Sequence, residues 1–515
     1  MESSSSDKRE VFILIVYAIA FYSFVIQRSL RLSTDYHSQL YGLRSTSAWL
    51  SKFTHRSNYT PSPSTLSSSN DPFVSPLIIT PNSTAYAPPQ LGSPNSLIAP
   101  IIVFILAIAL LNYLLVKIFA RKKYFLLLLW SFNIFFLICN RVYEGYSFSI
   151  IGQQWAYLDN FRGTFRWHIC FNFVVLRMIS FGYDYHWADQ DSRFDQEKHV
   201  QRCHICKSGK TCYQLLQERS VQDDKYSLSI YICYLVYAPL YLAGPIISFN
   251  AFASQLDVPQ NNYSVRDVTW YGLRWVFSLL LMELMTHLFH YNAFAISGLW
   301  KQLSPMDVFI IGYGVLIFMW LKFFLIWRYF RFWSLICGIE APENMPRCIN
   351  NCHNLEGFWK NWHASYNKWL VRYMYIPLGG SQKKLLNVWV IFTFVAIWHD
   401  LEWKLLSWAW LTCLFFIPEM ILKSTASALQ VESALGQFVF RELSAVAGAV
   451  TITCLMVANL VGYVIGPSGI NWLVSQFLQK EGLPVLGGMF VTFYVGTKLM
   501  FHIEDAKQRK YRSGL

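Results

Sequence analysis

Charge is what this sequence has little of. Charged side chains make up 14% of its 515 residues, against about 25% in soluble domains, while hydrophobic ones reach 54%. A chain this poor in charge cannot cover its apolar surface in water. That excludes a string of soluble domains and points to lipid as the solvent. Also lacking is an internal repeat, the signature of a solute carrier built from two related halves with paired broken helices. No small-residue cleavage pattern follows the first apolar run, residues 11–26, where Gln27-Arg28-Ser29-Leu30 comes instead. A retained membrane helix within residues 1–30 is therefore preferred to a signal peptide. The eleven cysteines are odd in number, and Cys139, Cys233 and Cys454 lie inside apolar runs, so no disulfide framework is legible. The net charge of +13 does not mark a nucleic-acid partner, because the basic residues sit between apolar runs, as the positive-inside rule requires.

What is present is a series of apolar stretches. Crossing ~30 Å of hydrocarbon takes about 20 apolar residues, and eleven runs qualify or come close: 11–26, 97–119, 124–139, 165–183, 227–249, 269–291, 307–330, 385–399, 402–422, 441–466 and 484–502. The fold class read from them is an all-α polytopic membrane protein, with about ten transmembrane helices plus re-entrant and amphipathic segments. Residues 31–96 separate the first helix from a core over 97–510. They are rich in Ser, Thr, Pro and Asn and read as a flexible polar loop. The sequons Asn58-Tyr59-Thr60 and Asn82-Ser83-Thr84 place that loop in the lumen. The N-terminus, Arg121-Lys122-Lys123 and residues 184–226 then fall in the cytosol, and the sequon Asn262-Tyr263-Ser264 in the lumen. The basic tail with Lys507, Arg509, Lys510 and Arg512 also reads as cytosolic. Eleven full crossings would leave it on the wrong side, so one segment must return. The expectation is 307–330, since Arg331, Arg347, Lys360, Lys368 and Arg372 follow it.

Chemistry concentrates in residues 358–375. Trp359, Trp362, His363, Tyr366, Trp369, Leu370 and Tyr373 share one face at helical spacing, while Lys360, Ala364, Lys368 and Arg372 recur every four residues on another. The pattern predicts one amphipathic helix at the membrane interface, with an aromatic face and a basic edge. His363 lies on the aromatic face, either as a structural histidine bonded to backbone or as a reacting group. Pro377-Leu378-Gly379-Gly380 marks a turn. The run 385–398 then ends in His399-Asp400. An ionisable group at such depth is by default a functional candidate, and a neutral imidazole suits a general base. The alternative is an interfacial histidine partnered by Asp400. A second histidine could polarise a thioester carbonyl, and the basic edge could hold phosphates.

These strings resemble the membrane-bound O-acyltransferase family, and within it the glycerol-uptake-protein branch, close to Hedgehog acyltransferase. The likeness is carried by Trp362 to Gly380, by Val395-Ala396-Ile397-Trp398-His399-Asp400, by residues 172–181 and by Tyr237 to Pro245. The resemblance implies a helical core around a tunnel. Acyl-CoA enters from the cytosol as cosubstrate, no further cofactor takes part, and transfer is direct. It maps the family's invariant histidine onto His399 and the second catalytic position onto His363. In the Hedgehog acyltransferase subgroup that position is aspartate, so a lipid hydroxyl is favoured over the amine of a secreted protein. The branch implies lyso-glycosylphosphatidylinositol as acceptor, during anchor remodelling in the endoplasmic reticulum membrane. Trp359, Trp362, Tyr366 and Asn367 are then candidates for substrate contacts, with Lys360, Lys368 and Arg372 for CoA phosphates. The alternatives are a glycerol or small-solute transporter and a protein acyltransferase of the Hedgehog type.

Weaker signals remain. Cys203, Cys206 and Cys212 lie in the loop 184–226. Zinc would need four ligands, which these and His204 or His199 could supply, but free or lipidated thiols are the preferred reading and no metal is expected. Glu283, His287 and His290 fall at helical spacing, where polar packing is preferred to metal binding. Gly244-Pro245 suggests a kink, and residues 337–352 an irregular re-entrant loop.

Overall fold

A computed structural model describes residues 5–40, 95–142, 152–154, 167–188, 194–428 and 433–512. The two early sequons and most of the polar loop lie outside these residues. The described regular structure is all helical. In chain order the helices are α1 (Ser5–Asp35), α2 (Asn95–Phe119), α3 (Phe125–Val142), α4 (Trp167–Ala188), α5 (Gln196–Arg202), α6 (His204–Lys207) and α7 (Tyr213–Glu218). Next come α8 (Leu228–Val236), α9 (Ala238–Tyr241), α10 (Phe249–Asp257), α11 (Val265–Leu288), α12 (Tyr291–Ser297) and α13 (Pro305–Ile336). The last are α14 (Leu355–Asn361), α15 (Ala364–Leu370), α16 (Lys384–His399), α17 (Trp403–Ala428), α18 (Ala434–Leu460), α19 (Gly469–Leu478) and α20 (Leu483–Arg512).

Among the described residues, six helices are long and apolar enough to cross a membrane: α1, α3, α13, α17, α18 and α20. A seventh arises if α11 and α12, bent by 54° at their junction, form one broken span. Of the other expected spans, α4 (22 residues) and α16 (16 residues) are helices in the same bundle, as is α2. Large apolar side chains such as Phe12, Leu127, Phe277, Leu280 and Leu443 face outward. That is the surface expected of a protein whose solvent is hydrocarbon.

Two expectations about topology are corrected. Residues 307–330 do not return: they form the middle of α13, 32 residues long and opened by Ser304, whose hydroxyl accepts from Asp307 N–H, and by Pro305 in the first turn. The segment that fails to cross is 227–249. It breaks into α8, only nine residues or about 14 Å long, and the short α9. The break follows from chemistry. Pro239 cannot continue a helix, and a Cβ at Gly244 would lie 2.6 Å from Leu240 Cα. The buried guanidinium of Arg177 donates to the carbonyls of the buried residues Tyr234 and Leu235 at the C-terminal end of α8, both at 2.8 Å. Residues flanking this dip stay on one side. Lys225 pairs with Asp257 at 2.6 Å, and Asn262 Nδ2 donates to Thr211 O at 2.7 Å. Asn262 is therefore on the same side as the cysteine loop, not opposite it as its sequon suggested.

Ion pairs mark the two ends of the bundle. At one end Arg28 binds Asp307 through two bonds of 2.7 and 2.9 Å, and Tyr291 meets Ser29 at 2.8 Å. Eighteen residues earlier on α1, about 27 Å away, Glu10 pairs with Lys498, which also binds Glu442 at 2.5 Å. On that same side Arg441 meets Asp505 at 2.8 Å and Arg347 meets Glu504 at 3.7 Å. The bundle interior divides into two main apolar cores. One joins α2, α3, α4, α8, α10, α15 and α16; the other joins α1, α12, α13, α18 and α20.

Candidate active site

The predicted single helix over 358–375 is broken. It runs as α14, reverses its backbone at Trp362-His363, resumes as α15 and ends in a π-helical turn over Val371–Tyr375. His363 has φ 46° and ψ 49°, the one non-glycine residue with positive φ among those described. Such a conformation costs about 1–3 kcal/mol and clusters at functional sites. Contacts from distant segments hold it there. Asn344, buried in the irregular loop after α13, accepts Ala364 N–H on its carbonyl at 3.0 Å and Ser365 N–H on Oδ1 at 2.9 Å. Ser365 Oγ in turn accepts Ile246 N–H at 2.8 Å, tying α15 to the dip after α9. At the far end of α14, Glu419 accepts Leu355 N–H at 2.7 Å.

His363 is buried in an aromatic box. Trp327 stacks on its imidazole with centroids 4.4 Å apart and planes 16° apart, Tyr366 lies at 5.1 Å, and Trp398 at 6.3 Å. His399 ends α16 and is half-buried. Its ring lies 4.9 Å from the same Trp398 indole and 6.1 Å from Trp408. The structure thus brings the two histidines, 36 positions apart, onto one indole. That indole is fixed twice by Asn172, which donates to Trp398 O at 2.6 Å and accepts Trp398 Nε1–H at 2.9 Å. Arg141 donates to the carbonyl of His399 and pairs with Asp400 at 3.5 Å, so Asp400 serves the end of α16 through Arg141.

Several buried polar atoms in this region have no protein partner: His363 Nε2, Tyr366 Oη, Trp359 Nε1 and Asn344 Nδ2. Buried polar groups are nearly always hydrogen-bonded to protein or water, so water or a bound molecule can satisfy these four atoms. An apolar cavity of about 350 Å³ approaches from the α1, α13, α18 and α20 side. Trp362, Asn459 and Tyr463 are on its wall. Neither imidazole lines it; Tyr463 on the wall packs against Trp408 at 5.5 Å, and Trp408 against the His399 ring at 6.1 Å. Trp408 donates to Asn459 Oδ1 at 3.3 Å and rests against Gly462, where a Cβ would come within 2.8 Å of the indole.

The expected basic edge is dispersed. Arg372 is buried, bound to Asp184 at 3.3 Å and to Glu218, with Tyr373 Oη donating to the same Asp184 oxygen at 2.9 Å. Lys360 is exposed and bonded to Glu356 at 2.6 Å. With Lys423 it holds the Glu356 carboxyl down to about 2. Lys368 is exposed, its ammonium 5.4 Å from the Tyr213 ring centre. Asn367 is half-buried and its N–H bonds His363 O at 3.1 Å. His290 leaves the spacing that linked it to Glu283 and His287, because α11 stops at Leu288; His287 Nδ1 meets Glu283 O at 2.7 Å. Sequence reasoning did not single out Trp327, Asn344, Trp408 or Arg141. Asn172 stood in the upstream string, but nothing there revealed its bond to Trp398.

Residues 117–457 match the model of the MBOAT, membrane-bound O-acyltransferase family. The chain belongs to this family. Over 409 residues it is 37% identical to the membrane-bound O-acyltransferase gup1 of Schizosaccharomyces pombe, covering 78% of this chain and 69% of the relative. Against GUP1 of Saccharomyces cerevisiae the identity is 36% over 394 residues, covering 74% and 68%. A more distant likeness, 26% over 292 residues and 54% of this chain against 58% of the relative, is to the protein-cysteine N-palmitoyltransferase HHAT of Mus musculus. The chain is thus a multi-pass membrane-bound O-acyltransferase, and the matched region contains both histidines and the aromatic box.

Proposed function

We propose that this O-acyltransferase moves a fatty acyl chain from acyl-CoA to a lipid hydroxyl, with lyso-glycosylphosphatidylinositol in the endoplasmic reticulum membrane as the preferred acceptor. The observation that carries the reading is the shared indole. His363, buried, and His399, half-buried, meet Trp398 in one aromatic box, beside polar atoms that protein leaves unpartnered. His399 takes the proton from the acceptor hydroxyl as its oxygen attacks the thioester carbonyl carbon. His363 Nε2–H steadies the oxyanion that forms. The C–S bond then breaks, and the CoA thiolate receives the proton from His399. The aromatic walls exclude water, which would otherwise hydrolyse the thioester.

The acyl chain lies in the apolar cavity, reached when Trp362 and Trp408 shift. Of the three cations weighed for CoA phosphates, Lys368 is the one with no carboxylate in ion-pair reach among the described residues, since Arg372 and Lys360 are engaged. The acceptor preference rests on histidine at 363, where the protein-acylating subgroup carries aspartate. The test is transfer from labelled acyl-CoA by the purified protein, with the lyso-anchor and a peptide amine as competing acceptors. A His399→Ala protein that transfers as well as wild type removes the mechanism. Preferential labelling of the peptide moves the reading to a protein acyltransferase. Glycerol uptake into vesicles that survives His399→Ala, without any transfer, moves it to a transporter.

A further inference from the structure

The loop between α4 and α8 holds a cluster with no part in the chemistry above. His199 lies in the last turn of α5, Cys203 joins α5 to α6, Cys206 lies within α6, and Cys212 caps α7. One donor atom from each of these four residues lies within 4.8 Å of the others, and His199 Nε2 is 3.1 Å from Cys212 Sγ. His204, the alternative fourth donor, is not in the group. We propose that His199, Cys203, Cys206 and Cys212 bind one structural zinc ion.

Several observations support a metal over free or lipidated thiols. First, three sulfurs and one imidazole nitrogen form the closed four-donor set of structural zinc sites. With Zn–S near 2.3 Å and Zn–N near 2.0 Å, tetrahedral donors stand about 3.4–3.8 Å apart, so a shift of about an ångström closes the shell. Second, the surroundings match those of a thiolate site. Leu215 N–H points at Cys212 Sγ from 3.4 Å. Such bonds orient first-shell ligands. The Phe194 ring lies 5.2 Å from the His199 ring and holds its plane. Third, the helices here have seven, four and six residues, too short to persist alone, and among the described residues the cluster beneath them is Cys206, Cys212 and Leu215 with the partly buried Phe194, Val200 and Cys203. So small a core needs a staple. Fourth, Cys206 and Cys212 are buried toward each other, whereas an acylated thiol must turn its chain outward.

The knot has a reach. α7 carries Tyr213, whose hydroxyl accepts Ser248 N–H at 3.2 Å, and Glu218, which pairs with Arg372. Through these the ion would brace the dip 244–250 and, by Ile246 and Ser365, the helix that follows His363. Zinc is then a fastener on the face carrying Lys368, and no step of transfer passes through it.

The test uses the full-length protein purified in detergent under reducing, chelator-free conditions. Elemental analysis is expected to give one zinc per chain. An organomercurial thiol reagent should release it to a chromophoric chelator, and cobalt in its place should give intense visible d–d bands with thiolate-to-metal charge transfer. Cys206→Ser and His199→Ala should lose the metal, while His204→Ala and Cys233→Ser keep it. Wild-type protein with well under one metal per chain overturns the proposal, as does metal retained by folded Cys206→Ser. A hydroxylamine-labile acyl group or a disulfide on these cysteines in the intact protein overturns it as well. The wild-type measurements decide even if a ligand variant fails to fold.

Discussion

Two buried polar regions lie on either side of α15, and they treat their polar atoms in opposite ways. Around Asp184 the atoms are paired except for Arg372 Nε: Arg372 binds it through one terminal nitrogen and Glu218 through the other, Tyr373 and the Asn250 N–H add bonds, and Tyr226 joins through Asn250. Around His363 four buried donors and acceptors find no protein partner. Both regions bear the cost of burying polarity. In the first that polarity fixes helices against one another; in the second it leaves positions that water or a bound molecule can fill.

Five substitutions would break or sharpen this contrast. The largest effect is expected from His399→Ala: transfer should fall by 100-fold or more, about what a positioned base contributes, with unchanged elution on detergent size-exclusion. Retained transfer would erase the contrast. Arg372→Ala leaves Asp184 buried without its counter-charge, which typically costs about 3–5 kcal/mol. The expected result is lost folded protein, read as yield and thermal unfolding. A folded Arg372→Ala whose KM for acyl-CoA alone rises would instead place Arg372 on the substrate. Gly462→Ala pushes Trp408 away from its seat beside His399. Overpacking of this kind costs about 1–3 kcal/mol, and kcat should drop several-fold while the protein still folds. The smallest effects belong to the exposed cations. Lys368→Ala should raise KM for acyl-CoA more than Lys360→Ala does. The Glu356 carboxyl, lowered from 4.5 to about 2, adds stability that is complete above pH 4.5 and is lost as pH falls toward 2. In Lys360→Ala the folded carboxyl value rises toward 4.5, so this acid limb, followed by thermal unfolding, should be smaller and end at a higher pH.

Much was legible before any coordinates. Apolar runs gave the membrane class, because hydrocarbon thickness sets helix length whatever the fold. The strings around His363 and His399 pointed to the family. What stayed hidden was set by distance or by backbone. Arg141 reaches the His399 carbonyl across 258 positions and Asn172 reaches Trp398 across 226, and no local pattern encodes either bond. The reversal at His363 was masked by a spacing that looks helical on both sides of it. The returning segment was misplaced because hydropathy is blind to where a run breaks. Residues 227–249 are as greasy as 307–330, yet Pro239 and Gly244-Pro245 fall within them. Gly244-Pro245 had suggested a kink, and weighing it above the downstream arginines would have found the dip.

Asn262 has a consequence for where the enzyme's faces can reside. Its side-chain nitrogen donates to Thr211 O and to Glu340, and its main-chain carbonyl accepts from Lys210, so it is stitched to the segment bearing Cys206 and Cys212. Oligosaccharide is added to such an asparagine only in the oxidising secretory lumen, whereas reduced cysteines persist on the other side. A sugar at Asn262 and a thiolate-bound ion next to it are therefore mutually exclusive, and finding either one orients the whole molecule.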